Sequence, residues 1–196
     1  TIIDSLRGKV SFFPGTSPNA YPKVKYNVHE IPFTKTQDVV TNQIIQEDDD
    51  EGNEDKEAFK LKQRMATIAC LPYNRKVSIP KNTTAIINNQ TEYAPKIKDL
   101  LATINNSHGK HVIYTTFVAS GIALIQAALR KEGWVSLKEA ATDPKKHEYK
   151  VFAIWDGSIK DADKLAIKST ANNKDNLDGR YLRVIIGSPS IKEGIS

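Results

Sequence analysis

The chain has 196 residues, of which 39% are hydrophobic and 26% are charged, as is typical of a soluble globular protein that buries a core. Its one cysteine, Cys70, rules out an internal disulfide and fits a reducing compartment, and its four scattered histidines offer no zinc-binding spacing. No apolar run approaches the roughly 18 residues of a membrane span, and no secretory signal pattern is visible. We therefore expect an intracellular protein with no structural metal and no membrane partner.

The net charge of +5 understates how basic most of the chain is. Residues 47–57 contain eight acidic residues and a single basic one, Lys56. The chain has 28 basic and 23 acidic residues in all, so the remainder carries 27 basic against 15 acidic. A domain this basic is expected to bind a polyanion, although a protein whose lysines serve only its solubility has the same composition. The like charges of the acidic run predict a mobile insertion at about residues 46–57.

Hydrophobic periodicity predicts short strands and helices along the whole chain. The first half is predicted to hold strands at 9–13, 24–28 and 66–71 and a helix at 34–45. From residue 92 helices and strands alternate: a helix from Pro95 to Ile104, a strand at 111–116, a helix at 117–131, a strand at 151–155, a helix at 162–170 and a strand at 182–186. This alternation predicts an α/β fold with a doubly wound, mainly parallel sheet that has helices on both faces.

Polar residues follow three of the predicted strands, at 115–117, 156–158 and 187–189. Because ligands bind beyond the carboxyl ends of parallel strands, a site is expected along this edge of the sheet. Gly194 lets backbone approach a phosphate closely, and Ser188 and Ser190 can donate hydrogen bonds to phosphate oxygens. An ordinary surface turn, with hydroxyls that only cap the following helices, fits the same residues.

Two of these segments resemble motifs of one protein family. Residues 110–117, KHVIYTTF, resemble motif IV of superfamily 2 helicases and translocases, and residues 184–196, VIIGSPSIKEGIS, resemble motif V. The segment that leads into motif V, NNKDNLDGRYLRVIIGS, is similar to the corresponding segment of helicase-like ATPases of large DNA viruses. This group includes viral nucleoside triphosphatase I and the ATPase subunit of the poxvirus early transcription factor. The opening LRGKVSFFPG is similar to the start of the same domain.

The resemblance implies that residues 1–196 form a single RecA-like domain, the C-terminal lobe of a nucleotide-hydrolysing helicase. Glu193 and Gly194 are then expected near the nucleotide, which is ATP with Mg²⁺ in the parent protein. The expected contacts to DNA or RNA, made without reading bases, are Lys110, Thr115, Thr116, Ser188, Ser190 and Lys192. The expected partners are an N-terminal RecA-like lobe and viral transcription machinery, in the virion or the host-cell cytoplasm.

The sequence contains no G-x-x-x-x-G-K-[ST] phosphate loop and no arginine-rich motif VI. We therefore expect a fragment without catalytic residues of its own, which neither binds ATP nor hydrolyses it alone. Two other interpretations remain open at this point. The chain could be the nucleotide-binding half of another α/β enzyme, such as a glycosyltransferase, although only Asp156 and Glu193 offer a carboxylate near a strand end. It could also be a non-catalytic, helicase-like docking domain.

Overall fold

The structure is a computed structural model that describes residues 23–50, 61–72, 80–143 and 147–193. The chain divides into two units, Thr1–Glu30 and Ile31–Ser196. In the first unit the described residues, 23–30, form neither helix nor strand. The strand predicted at 24–28 is therefore wrong, since alternating polarity alone does not make a strand. The strand predicted at 9–13 lies outside the described residues, and the prediction of a single domain stays a prediction.

The second unit is built around a parallel sheet of four strands. The strands are β1 (His111–Tyr114), β2 (Val135–Ser136), β3 (Val151–Trp155) and β4 (Val184–Gly187), and their order across the sheet is β1-β4-β3-β2. All three pairings are parallel. Strand β4 is central and buried along its whole length, which explains its run of β-branched residues.

Eight α-helices are described: α1 (Lys35–Asp50), α2 (Leu61–Ile68), α3 (Thr83–Asn88), α4 (Gln90–Tyr93), α5 (Pro95–Asn106), α6 (Ala123–Lys131), α7 (Leu137–Ala140) and α8 (Asp161–Ala171). Helices α3, α5 and α6 pack on one face of the sheet, against Phe152, Val184 and Ile186. Helices α7 and α8 pack on the other face, against Ala153 and Ile185. This arrangement confirms the predicted α/β, doubly wound architecture and agrees with a RecA-like fold.

The strongest apolar patterns were predicted correctly. Helix α5 begins at Pro95 and buries Ile97, Leu101 and Ile104, as the spacing of these residues predicts. Helix α6 ends before Gly133, whose φ of 83° closes the turn into β2. The predicted helix at 117–131 differs at its start, because Val118–Ile122 forms a π-helix before α6 begins.

The helix predicted at 34–45 corresponds to α1, which continues to Asp50. Residues 46–50 of the predicted insertion therefore belong to a helix, and residues 51–57 lie outside the described part of the chain. The strand-like segment predicted at 66–71 is wrong, because Leu61–Ile68 is helix α2. Ala66 and Cys70 pack there against Val40 and Ile44 of α1.

Strand β2 and helix α7 were not predicted. The two residues of β2 pair with Val151 and Phe152 at the edge of the sheet. Helix α7 then begins with a capping box: Glu139 N donates to Ser136 Oγ at 3.4 Å, and Ser136 N donates to the Glu139 carboxylate at 2.8 Å. Elements of two and four residues carry too little periodicity to be recognised in the sequence.

Candidate nucleic-acid interface

The carboxyl ends of β1, β4 and β3 lie side by side, with Gly187 of β4 in register with Tyr114 on one side and Trp155 on the other. Backbone bonds extend this order beyond the strands, since Thr115 N donates to Gly187 O and Ser188 N donates to Trp155 O, both at 3.0 Å. We call this border, residues 114–117, 155–158 and 187–191, the carboxyl edge. The prediction that the strands at 111–116 and 182–186 end at one common edge of the sheet is confirmed.

Thr115 and Thr116 differ in what their side chains are free to do. The Thr115 hydroxyl is half-buried and accepts a hydrogen bond from Phe117 N at 3.2 Å. A Cβ on Gly121 in the π-helix would lie 2.6 Å from Thr115 Oγ1, so this glycine lets the helix approach the strand end closely. Thr116 is exposed. Of the two hydroxyls, Thr116 therefore faces solvent at the carboxyl edge, and Thr115 shapes the turn beneath it.

Ser188 and Ser190 follow β4 in a 3-10 helix that spans Pro189–Glu193. Ser188 is only 3% exposed, and its Oγ lies 3.0 Å from the Oγ of the half-buried Ser190. The end of β4 turns the Ser188 side chain inward, and its predicted contact to nucleic acid stays a prediction. Ser188 positions Ser190, which reaches the surface.

Gly187 explains why this turn is so tight. A Cβ there would come within 2.9 Å of Ile191 Cβ and would also clash with Ile191 Cδ1. The strand end and the 3-10 helix can therefore pack together only when residue 187 lacks a side chain. The side chains of Lys192 and Glu193, and all of Gly194, lie outside the described residues, so their predicted contacts to nucleic acid and nucleotide stay predictions.

Lys110 is not part of the carboxyl edge. It precedes β1, roughly 16 Å from Thr115 at the rise of an extended strand. Its Nζ donates to the carbonyl of Ala171, the last residue of α8, at 2.9 Å. The structure thus places Lys110 at the opposite border of the sheet, which we call the amino edge, where it caps a helix.

Asp156 ends β3 at the carboxyl edge, and its carboxylate accepts hydrogen bonds from Ser158 N at 2.8 Å and Ser158 Oγ at 2.7 Å. These bonds form a local turn, so the carboxylate acts here as a structural group. Within the described ranges, no group of three or more His, Cys, Asp or Glu side chains could hold a metal ion. None of the described helices is both long and apolar enough to span a bilayer.

Two described groups with shifted pKa values, Cys70 and His111, are not among the residues of the carboxyl edge. Burial raises the pKa of the Cys70 thiol to about 11, with a further contribution from Glu92, so Cys70 is an unreactive core thiol at neutral pH. Burial also lowers the pKa of His111, and the charge of Arg183 adds to this effect. The carboxyl edge therefore offers hydroxyls and backbone groups, the contacts that proteins make to a phosphate backbone.

Two features of this region were missed in the sequence. Arg64 of α2 lies over the ring of Phe117, with 5.3 Å between its guanidinium carbon and the ring centroid. Asn176 is fully buried and bonds to the backbone that leads into β4. The asparagines that precede β4 in the sequence gave a hint of Asn176, but Arg64 contacts Phe117 only through tertiary packing and gave no signal.

Comparison with known proteins gives two relatives, both viral. Over 204 residues the chain is 28% identical to a protein of Acanthamoeba polyphaga mimivirus that bears the name ATP-dependent RNA helicase. Over 109 residues it is 31% identical to a protein of Frog virus 3 named as a helicase. The chain is thus similar to viral proteins that are named helicases. This similarity confirms the resemblance to viral helicases, and the assignment of motifs IV and V stays a prediction.

The two matches differ in extent. The first covers 97% of this chain and 35% of the mimivirus protein, so the chain spans about a third of that relative. The second covers 55% of the chain and 11% of the Frog virus 3 protein. No protein-family model matches the chain. The activity of the whole protein is therefore a matter for proposal.

Proposed function

We propose that this chain is the second RecA-like lobe of an ATP-dependent helicase or translocase, and that its carboxyl edge forms part of the nucleic-acid track. The observation that carries the proposal is the adjacency of β1 and β4. Their ends bring the exposed Thr116 next to the 3-10 helix that presents Ser190. Hydroxyls and backbone amides in a row along one edge suit a phosphate chain and read no base edges.

The rest of the proposal concerns the parent protein. Hydrolysis of ATP, bound together with Mg²⁺, would drive movement along the nucleic acid. The name of the mimivirus relative supports the use of ATP. Glu193 and Gly194 are the proposed nucleotide contacts of this lobe, and Lys192 is a further proposed contact to nucleic acid. The proposed partners are an N-terminal RecA-like lobe, DNA or RNA bound independently of sequence, and viral transcription machinery. The structural role of the Asp156 carboxylate counts against the glycosyltransferase alternative.

The test is a double substitution, Thr116→Ala with Ser190→Ala, in the full-length protein. Binding of labelled single-stranded DNA and RNA homopolymers is measured by fluorescence anisotropy at low salt. We expect affinity to fall several-fold and equally for all sequences, since about 1–2 kcal/mol is a typical loss for hydrogen bonds to charged partners. Thr103→Ala is the matched control, because Thr103 is exposed on α5 away from the carboxyl edge. Unchanged binding by a folded double variant would refute the proposed track.

A further inference from the structure

Arg64 is held at the carboxyl edge by an aromatic platform. Its guanidinium lies 5.3 Å from the centre of the Phe117 ring, a cation–π geometry. Phe117 in turn is fixed by the turn that follows β1, where its backbone N–H donates to Thr115 Oγ1. The guanidinium therefore rests on the residue that directly follows the exposed Thr116.

Five other described cations bond to groups of the protein itself. Lys131 Nζ donates to Ile87 O at 3.0 Å, Lys150 Nζ to Glu132 O at 2.8 Å, and Arg183 to Ile104 O at 2.9 Å. Arg130 and Arg180 pair with the carboxylates of Glu139 and Glu148. Among the residues that the structure describes, Arg64 has neither a carboxylate nor a carbonyl partner for its guanidinium.

An arginine held in this way is suited to bind phosphate. The aromatic ring restricts the guanidinium without using its N–H groups, so that little conformational entropy is lost when those groups bind an anion. The planar fork can also engage two phosphate oxygens at once. Thr116, beside the platform, has a hydroxyl that can donate to the same phosphate or to the next one along a strand.

We infer that Arg64, stacked on Phe117, is a phosphate contact of the nucleic-acid track and lies next to Thr116. The inference rests on the function proposed above and adds a residue from helix α2, far from both helicase motifs in sequence. It gives the track a fixed positive charge beside its hydroxyls, and the contact is to the backbone of DNA or RNA.

The experiment measures binding of a labelled oligothymidylate to the full-length protein, across salt concentrations of about 50–200 mM. The logarithm of the association constant falls linearly with the logarithm of the salt concentration, and loss of one phosphate contact to a single strand makes this slope shallower by about 0.7. Arg64→Ala is expected to weaken binding roughly three- to tenfold at low salt and to reduce the slope by this amount. Arg64→Lys should keep the wild-type slope, because it keeps the charge, but bind more weakly, because the stacked fork is lost.

Phe117→Leu tests the platform. It should weaken binding in the wild-type background and have little further effect when Arg64 is already alanine, since the ring acts through the guanidinium. Arg180→Ala is the matched control, because Arg180 also lies over an aromatic ring, that of Tyr181 at 5.5 Å, but precedes β4 at the amino edge. Its affinity and salt slope should equal those of the wild type. Thermal melting confirms that each variant is folded.

The outcomes separate this inference from the function on which it rests. If Arg64→Ala leaves affinity or slope unchanged while Thr116→Ala with Ser190→Ala weakens binding, the role of Arg64 is refuted and the track stands. If the wild-type protein binds neither DNA nor RNA, the proposed function falls and the inference with it. If Arg64→Ala and Arg180→Ala lower the slope equally, general surface charge explains the effect and the inference is refuted.

Discussion

Asn176 is fully buried just before β4 and makes three hydrogen bonds with the backbone of the next residues. Its Oδ1 accepts from Tyr181 N at 2.8 Å and from Leu182 N at 3.0 Å, and its Nδ2 donates to Leu182 O at 3.1 Å. A single side chain thus satisfies three backbone groups that have no strand partner at this point. The direction in which the chain enters β4, and so reaches the carboxyl edge, depends on this amide.

The substitution Asn176→Asp tests this role. It keeps the acceptor but places an oxygen against Leu182 O, so we expect the free energy of unfolding to fall by about 2–4 kcal/mol. A protonated aspartic acid can donate to that carbonyl, so the deficit relative to wild type should shrink as the pH falls. Urea unfolding across pH measures both effects. The control is Asn173→Asp, since the exposed Asn173 uses only its acceptor, toward Asp175 N at 2.9 Å. Equal losses in the two variants would contradict the assignment.

At the scale of the elements, the 3-10 helix Pro189–Glu193 is placed by its contact with Gly187. The last residue of β4 lies directly against Ile191, so the strand end and the helix form one compact turn. Ser190 belongs to this turn, and its position at the surface depends on the turn remaining closed. Packing, rather than hydrogen bonding alone, therefore fixes the geometry of the proposed track on its β4 side.

Gly187→Ala is expected to open this turn. The added methyl group would lie 2.9 Å from Ile191 Cβ, so the 3-10 helix must shift, at a cost of about 1–3 kcal/mol of stability. Nucleic-acid binding should weaken as well, because Ser190 moves with the helix. Gly157→Ala at the same edge is the control, since its Cβ would meet no atom within 4 Å. Thermal melting and anisotropy measure the two effects, and wild-type values for Gly187→Ala would disprove the packing argument.

The sequence was sufficient for the elements with a strong apolar pattern and failed where the pattern was short. Helix α5 and strands β1, β3 and β4 were predicted from periodicity, and the parallel order of the strands predicted the common edge that holds the proposed site. A short apolar run does not distinguish strand from helix, which explains the error at 66–71. The inward turn of Ser188 and the contact of Arg64 with Phe117 depend on tertiary packing, which no local pattern records.

Across the whole molecule, four described cations at the amino edge serve the fold, whereas Arg64 at the carboxyl edge is proposed to serve binding. At the amino edge, Lys110, Lys131, Lys150 and Arg183 each donate to a carbonyl at or near the C-terminal end of a helix. Helix C-termini carry partial negative charge, so these cations stabilise the fold. These four charges are therefore already used within the protein, and the charge proposed to bind a polyanion is that of Arg64 at the carboxyl edge.

Lys110→Met separates the two uses of positive charge. The substitution keeps much of the aliphatic stem and removes the ammonium group that caps α8, so we expect a loss of roughly 0.3–1 kcal/mol, or about 1–3 °C in melting temperature. Affinity for single-stranded nucleic acid and its salt slope should stay at wild-type values, because this charge lies at the amino edge and is already bonded to Ala171 O. Lys96→Met on the exposed surface of α5 controls for the loss of one lysine. If Lys110→Met instead lowered the salt slope as far as Arg64→Ala does, the whole basic surface would bind nucleic acid, and the division between the edges would not hold.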